Sequence, residues 1–74
     1  MKNIYWERGS FVILIFRYYG DGNVYLGEWK KGIRDGWGVF MYYSGAKYEG
    51  SWKDDKKHGF GVECKILKCN VRIP

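Results

Sequence analysis

Long apolar runs are missing from this 74-residue chain: the longest, Phe11–Phe16 (FVILIF), has six residues. A helix that crosses a bilayer needs about 20. Glu7 lies just before the run and no small-residue cleavage site follows it, so it does not read as a signal peptide. With no targeting segment in view, the expected location is the cytoplasm. Cysteine is scarce as well. Cys64 and Cys69 provide neither a disulfide framework nor a four-ligand zinc site. They are expected as reduced thiols, and no metal or cofactor is expected. Proline occurs once, at Pro74, whereas 20% of the residues are aromatic and eleven are glycine. A disordered chain would be poor in aromatics, so this one folds. Large rings beside many glycines point to strands and tight turns.

The means of catalysis are equally thin. His58 is the single histidine, in the turn-like stretch KKHGFG, where it reads as a solvated turn residue. No carboxylate accompanies it in a nucleophile arrangement, and Ser10, Ser44 and Ser51 lack a nucleophile-elbow context. GDG at 20–22 and GWG at 36–38 do not open a helix after a strand, so neither cradles phosphate. No catalytic residue is assigned and no enzyme is expected.

One charge sign is also lacking where it would count. The net charge of +5 suggests an anionic partner. Yet residues 19–62 hold seven basic side chains against six acidic ones, so the excess sits at the two ends of the chain.

What the chain does have is a repeat. YLGEWKKGIRDGWG at 25–38 returns as YEGSWKDDKKHGFG at 48–61, an offset of 23 residues. Laying 19–39 on 42–62 gives nine identical pairs: Tyr19/Tyr42, Gly22/Gly45, Tyr25/Tyr48, Gly27/Gly50, Trp29/Trp52, Lys30/Lys53, Gly36/Gly59, Gly38/Gly61 and Val39/Val62. Repeats come first in reading a sequence because they fix the architecture. This period is too short for a helix pair and suits a β-hairpin with two turns. Strands are expected at Val24–Lys30, Gly36–Tyr43, Lys47–Lys53 and Gly59–Ile66, joined through 31–35, 44–46 and 54–58. Asp21-Gly22 and Ser44-Gly45 supply the positive-φ residue of a tight turn.

Alternation of side chains along a strand puts Tyr25, Gly27 and Trp29 on one face with Gly36, Gly38 and Phe40. If four residues close the loop, Trp29 faces Gly36, Gly27 faces Gly38 and Tyr25 faces Phe40. Glycines weaken strands; here they are read as sockets over which a neighbouring ring lies flat, each ring burying on the order of 150–250 Å².

Tyr-x-Gly-x-Trp, six residues, then Gly-x-Gly, with an (Asp/Ser)-Gly turn before the next Tyr, resembles the MORN repeat over residues 19–62. The resemblance implies an all-β fold in which consecutive antiparallel hairpins form an elongated, single-layer, twisted sheet of five or six strands. It makes Tyr25, Gly27, Trp29, Gly36, Gly38, Tyr48, Gly50, Trp52, Gly59 and Gly61 the signature positions. Repeats are expected at 19–41 and 42–64. Residues 1–18 read as an eroded partial repeat, with Trp6 over Trp29, Gly9 over Gly32, and Ile13 and Ile15 where Gly36 and Gly38 stand. Asp55 replaces Gly32 in the second unit. Residues 65–74 read as a diverged tail, since Lys68 and Val71 stand where a turn glycine and the next Tyr would recur. A capped two-repeat unit, an alternative product and a piece of a longer array all fit.

The opposite face would carry Leu26, Trp37, Val39, Met41, Phe60 and Val62, an apolar patch suited to a protein partner or a second copy. The open sheet edges could add strands. Phe11–Phe16 is expected either to cover one face or to form an exposed edge. Lys30, Lys31, Arg34, Lys53, Lys56 and Lys57 would gather at successive hairpin ends as a rim for anionic lipid, although Asp35, Asp54 and Asp55 share it. A nucleic-acid platform needs rings free to stack on bases; these rings are committed to glycines, so no nucleic-acid partner is expected. The expectation is a protein-binding scaffold, and the resemblance adds a cytoskeletal or ciliary and flagellar (axonemal) setting. The alternative is a membrane-recruitment module for phosphoinositides.

Overall fold

The computed structural model describes residues 2–7 and 10–74, with side chains from Leu14 onward. Seven strands lie in the described residues: β1 (Lys2–Glu7), β2 (Ser10–Tyr18), β3 (Val24–Lys30), β4 (Ile33–Met41), β5 (Lys47–Lys53), β6 (Lys56–Lys65) and β7 (Lys68–Arg72). They form one open antiparallel sheet in chain order, with extents of 37 × 30 × 21 Å. The strand count exceeds the five or six expected, in part because the diverged tail forms β7 against β6. Phe11–Phe16 neither covers a face nor forms an edge, because β2 lies between β1 and β3. Gly9, and the side chains of Trp6 and Ile13 on which the eroded-repeat reading turns, lie outside the described residues.

The turns repeat as faithfully as the strands. Gly22 and Gly45 take φ of 90° and 97°, and their N–H groups donate to the carbonyls of Tyr19 and Tyr42. On the other rim, the connections are two residues long rather than the five expected. Lys31-Gly32 adopts φ of 51° and 82°, and Asp54-Asp55 adopts 49° and 70°. Two successive left-handed residues match the turn that follows strand twist most closely. Aspartate tolerates this conformation better than most residues, which is how Asp55 stands in for Gly32.

The short turns change the register near the tryptophans. Tyr25 faces Phe40 and Gly27 faces Gly38 as expected, but Trp29 faces Arg34, not Gly36. Between these pairs β3 advances two residues and β4 four, so Asp35–Trp37 bulges opposite Glu28. The second hairpin does the same: Gly50 faces Gly61, Trp52 faces Lys57, and 58–60 bulges. Gly36 and Gly59 sit in the bulges with φ of 105° and 66°, conformations that L side chains resist. The first glycine of each Gly-x-Gly therefore shapes the strand and is no socket. β1 and β2 pair without a register shift. In β2 the corresponding position is Ile13, a β-branched residue unsuited to left-handed φ.

One face carries the core. Tyr25 and Tyr48 are fully buried, with Phe40 and Trp52 nearly so, and Tyr19, Trp29 and Tyr42 pack against them.

Candidate interaction surfaces

The ring face is assembled from the signature residues. Tyr25 lies across Gly27 and Gly38, and Tyr48 lies across Gly50 and Gly61. A Cβ built on any of these glycines would collide with the tyrosine ring or the facing backbone. The rings over the sockets are the tyrosines, and the expected placing of Trp29 opposite Gly36 does not occur. Each hydroxyl reaches past its glycines: Tyr25 Oη donates to the Glu28 carbonyl at 3.1 Å and Tyr48 Oη to that of Ser51 at 3.0 Å. Burial pushes both phenols above the usual tyrosine range.

The tryptophans reach sideways instead. Trp52 Nε1 donates to the Gly38 carbonyl on β4 at 3.3 Å, and Trp29 Nε1 donates to the Ile15 carbonyl on β2 at 3.2 Å. Ile15 and Gly38 stand 23 residues apart, so the same contact recurs one repeat earlier, on the eroded unit. Trp29, Tyr25, Trp52 and Tyr48 form an edge-to-face ladder with centroids 5.2, 5.4 and 5.4 Å apart, a preferred aromatic geometry. Each unit therefore grips the one before it through an indole.

Two of the six basic residues assigned to the rim belong to this face. Arg34 lies over Trp52 at 4.6 Å and Phe40 at 5.3 Å, and forms an ion pair with Asp55 at 2.5 Å. Burial works against its charge, but the Asp55 carboxylate and the flanking tyrosines outweigh that, and its pKa rises. The Arg34 hydrogen bond holds the Asp55 carboxyl below its usual range. Lys57, 23 residues on, lies over Tyr48 at 5.1 Å and Tyr42 at 5.5 Å and pairs with Glu63 at 2.7 Å. Burial opposes its charge too; the bond to Glu63 prevails and the pKa rises. Both cations lid the rings. Their shared place in the repeat was the signal in the sequence that would have revealed this.

Lys30, Lys31, Lys53 and Lys56 remain exposed at the hairpin tips. A cleft of about 350 Å³ between the tips is lined by Lys30, Lys31, Ile33, Asp35, Lys53 and Asp54, so acids sit among the bases there.

On the second face, strand pairing lines up Phe16, Leu26, Val39, Glu49, Val62 and Val71 in one row across β2–β7. Trp37 is 48%, Phe60 60% and Val62 39% exposed. Leu26, Val39 and Met41 are half-buried.

Sequence reading missed the last hairpin. Cys64 and Cys69 face each other across β6 and β7 and form a disulfide, contrary to the expectation of reduced thiols. Their spacing of five reflects a two-residue turn, Ile66-Leu67, that no glycine or asparagine advertised.

No curated protein matches the chain. A profile for the MORN repeat matches residues 25–47 and 48–65, more than half of the chain, each match beginning on a socket tyrosine. MORN repeats are generally interaction modules for proteins or lipids, and the repeat type is non-enzymatic. The chain belongs to the MORN repeat family.

Proposed function

We propose that this chain is a non-enzymatic scaffold whose second face binds a protein partner or another copy of itself. The observation that supports the reading is the contrast between the faces. One is closed by its own rings and two cationic lids; the other leaves Trp37 and Phe60 about half exposed beside the row that holds Leu26, Val39 and Val62. Bulky apolar groups in water, with polar neighbours such as Glu49, mark contact surfaces. The proposed setting is a cytoplasmic or cytoskeletal assembly, with a cilium or flagellum axoneme suggested by family analogy.

Cross-linked affinity capture from cells tests this with the chain and its Trp37→Arg, Phe60→Arg double variant. Both positions are exposed enough to accept arginine without unfolding the sheet. A partner, or a second copy, captured by the parent chain and lost by the variant supports the reading; equal capture by both overturns it. The lipid alternative draws on Lys30, Lys31, Lys53 and Lys56, whose charge is partly offset by Asp35 and Asp54. Salt-sensitive sedimentation with phosphoinositide vesicles, abolished by reversing those lysines, would favour it over the scaffold.

A further inference from the structure

The two-residue turns that follow β3, β5 and β6 do not close alike. Lys31-Gly32 and Asp54-Asp55 turn with two left-handed residues each. Among the described residues, Lys31, Asp54 and Asp55 are the non-glycine positions at positive φ, and neither Ile66 nor Leu67 takes it. Two-residue turns without positive φ match strand twist poorly and splay the strands they join. Beyond its five-pair backbone ladder to β6, β7 has little to hold it: all five of its residues are exposed, and Arg72 Nη2 donates to the Lys57 carbonyl at a long 3.4 Å. Against this weak turn and exposed strand stands the covalent link from Cys64 to Cys69, one residue pair in from the turn.

β7 also occupies a place that the repeat gives to a different kind of strand. On β4, the next strand sets Tyr48 opposite Phe40 and Gly50 opposite Gly38, and Trp52 sends its indole to the Gly38 carbonyl. On β6, the positions equivalent to Phe40 and Gly38 are Glu63 and Gly61, and β7 sets Asn70 and Arg72 opposite them. The Tyr-x-Gly pair is replaced by two polar residues without a ring or a socket. β7 thus covers an edge that keeps the bulge and the socket glycine, Gly61, of a Tyr-x-Gly-x-Trp acceptor, with Glu63 in place of Phe40.

The geometry points to a reducible clamp: the Cys64–Cys69 disulfide holds β7 on the β6 edge, and its reduction opens that edge to an extended strand of the Tyr-x-Gly-x-Trp type from another polypeptide. The chemistry is thiol–disulfide exchange with a dithiol. A dithiol thiolate attacks one cystine sulfur, the Cys64–Cys69 bond breaks, and a mixed disulfide forms. The second dithiol sulfur then displaces the protein thiol. Two electrons and two protons end on Cys64 and Cys69, and the dithiol leaves as its own disulfide. Cys69 is exposed and Cys64 half-buried, so the bond is open to attack. The vacated β6 edge offers unpaired backbone groups, the means by which strands are added to sheets. This goes beyond the scaffold reading, which rests on the second face.

The test uses the full chain and a fluorescent peptide of its own residues 42–54, YYSGAKYEGSWKD, as the donor strand. Peptide affinity and amide exchange are measured for the oxidised chain, for the chain reduced with a small-molecule dithiol, and for the Cys64→Ser, Cys69→Ser variant. Opening should raise peptide affinity at least about tenfold, a difference of about 1.4 kcal/mol. It should also speed exchange at 68–72 while β3–β5 amides stay protected, which shows that the sheet remains folded. A peptide with Gly50→Val and Trp52→Ala should not bind. Equal affinity in both redox states, binding in neither, unchanged exchange in β7, or equal binding of the altered peptide would each overturn the proposal. The second-face reading survives any of these, because its test reads Trp37 and Phe60.

Discussion

The hairpins β3–β4 and β5–β6 share a sequence pattern, turn geometry and bulge, yet they are completed differently. The first is closed by its successor: Asp55 of the next turn holds Arg34, and Trp52 of the next strand inserts beside Tyr25. The second is closed from within. Glu63, standing where the first unit has Phe40, pairs with Lys57 over Tyr48. A repeat of this kind is therefore not a self-sufficient unit but half of a junction, as expected for stacked repeats whose interfaces supply much of their stability. Where an aromatic neighbour is absent, a carboxylate takes the lid's free side.

The two tryptophans should separate the hairpins most strongly. Trp52 is 5% exposed and joins both units, whereas Trp29 is only partly buried. Trp52→Ala should cost about 3–5 kcal/mol, enough to unfold so small a domain, and Trp29→Ala should cost less. Chemical denaturation of the two variants measures both; equal losses would deny that Trp52 is the junction. The bulge glycines provide a smaller contrast. A Cβ on Gly36 would meet the Glu28 carboxyl at 2.7 Å, whereas on Gly59 the nearest atom is Ser51 Cβ at 3.9 Å. Both alanine variants carry the left-handed penalty of roughly 1–2 kcal/mol. Gly36→Ala should be the worse by melting temperature, because it also displaces Glu28 from the Trp37 amide.

The ion pair gives the smallest effect and a pH signature. Asp55 has a folded pKa below its unfolded value, chiefly through the Arg34 hydrogen bond. Its contribution is therefore present above the unfolded value of about 3.9 and is lost as pH falls through the folded one. Asp55→Asn should lower stability at pH 7 by less than about 1 kcal/mol, since the carboxylate is half exposed. It should also flatten the decline expected in thermal melts as pH falls below the unfolded value and through the folded one. A variant that melts along the parent's acid limb would remove Asp55 from the junction.

Most of the sheet was legible because its signals are local. Period, parity and the Asp-Gly and Ser-Gly turns fixed the face shared by Tyr25, Gly27, Gly38 and Phe40. The bulges were not legible. A Gly-x-Gly read by parity alone looks like two sockets, and only backbone φ separates Gly36, which bends the strand, from Gly38, which receives a ring. Arg34 and Lys57 looked like rim charges because composition near a turn says nothing of which face a side chain takes. β7 and its disulfide escaped notice because KCNVR alternates only two apolar residues, Cys69 and Val71, and the Ile66-Leu67 turn before it carries no turn-forming residue. Of the candidate surfaces, the apolar second face followed from alternation alone.

The ring face is built on tyrosine rings lying over side-chain-free positions, and one pair of variants tests that directly. A Cβ on Gly38 would run into the Tyr25 ring, whereas a Cβ on Gly20 would meet nothing within 4 Å. Unfolding free energies of Gly38→Ala and Gly20→Ala, measured side by side, should show Gly38→Ala losing about 2–3 kcal/mol through overpacking and Gly20→Ala almost nothing. Equal stability of the two variants would contradict the account.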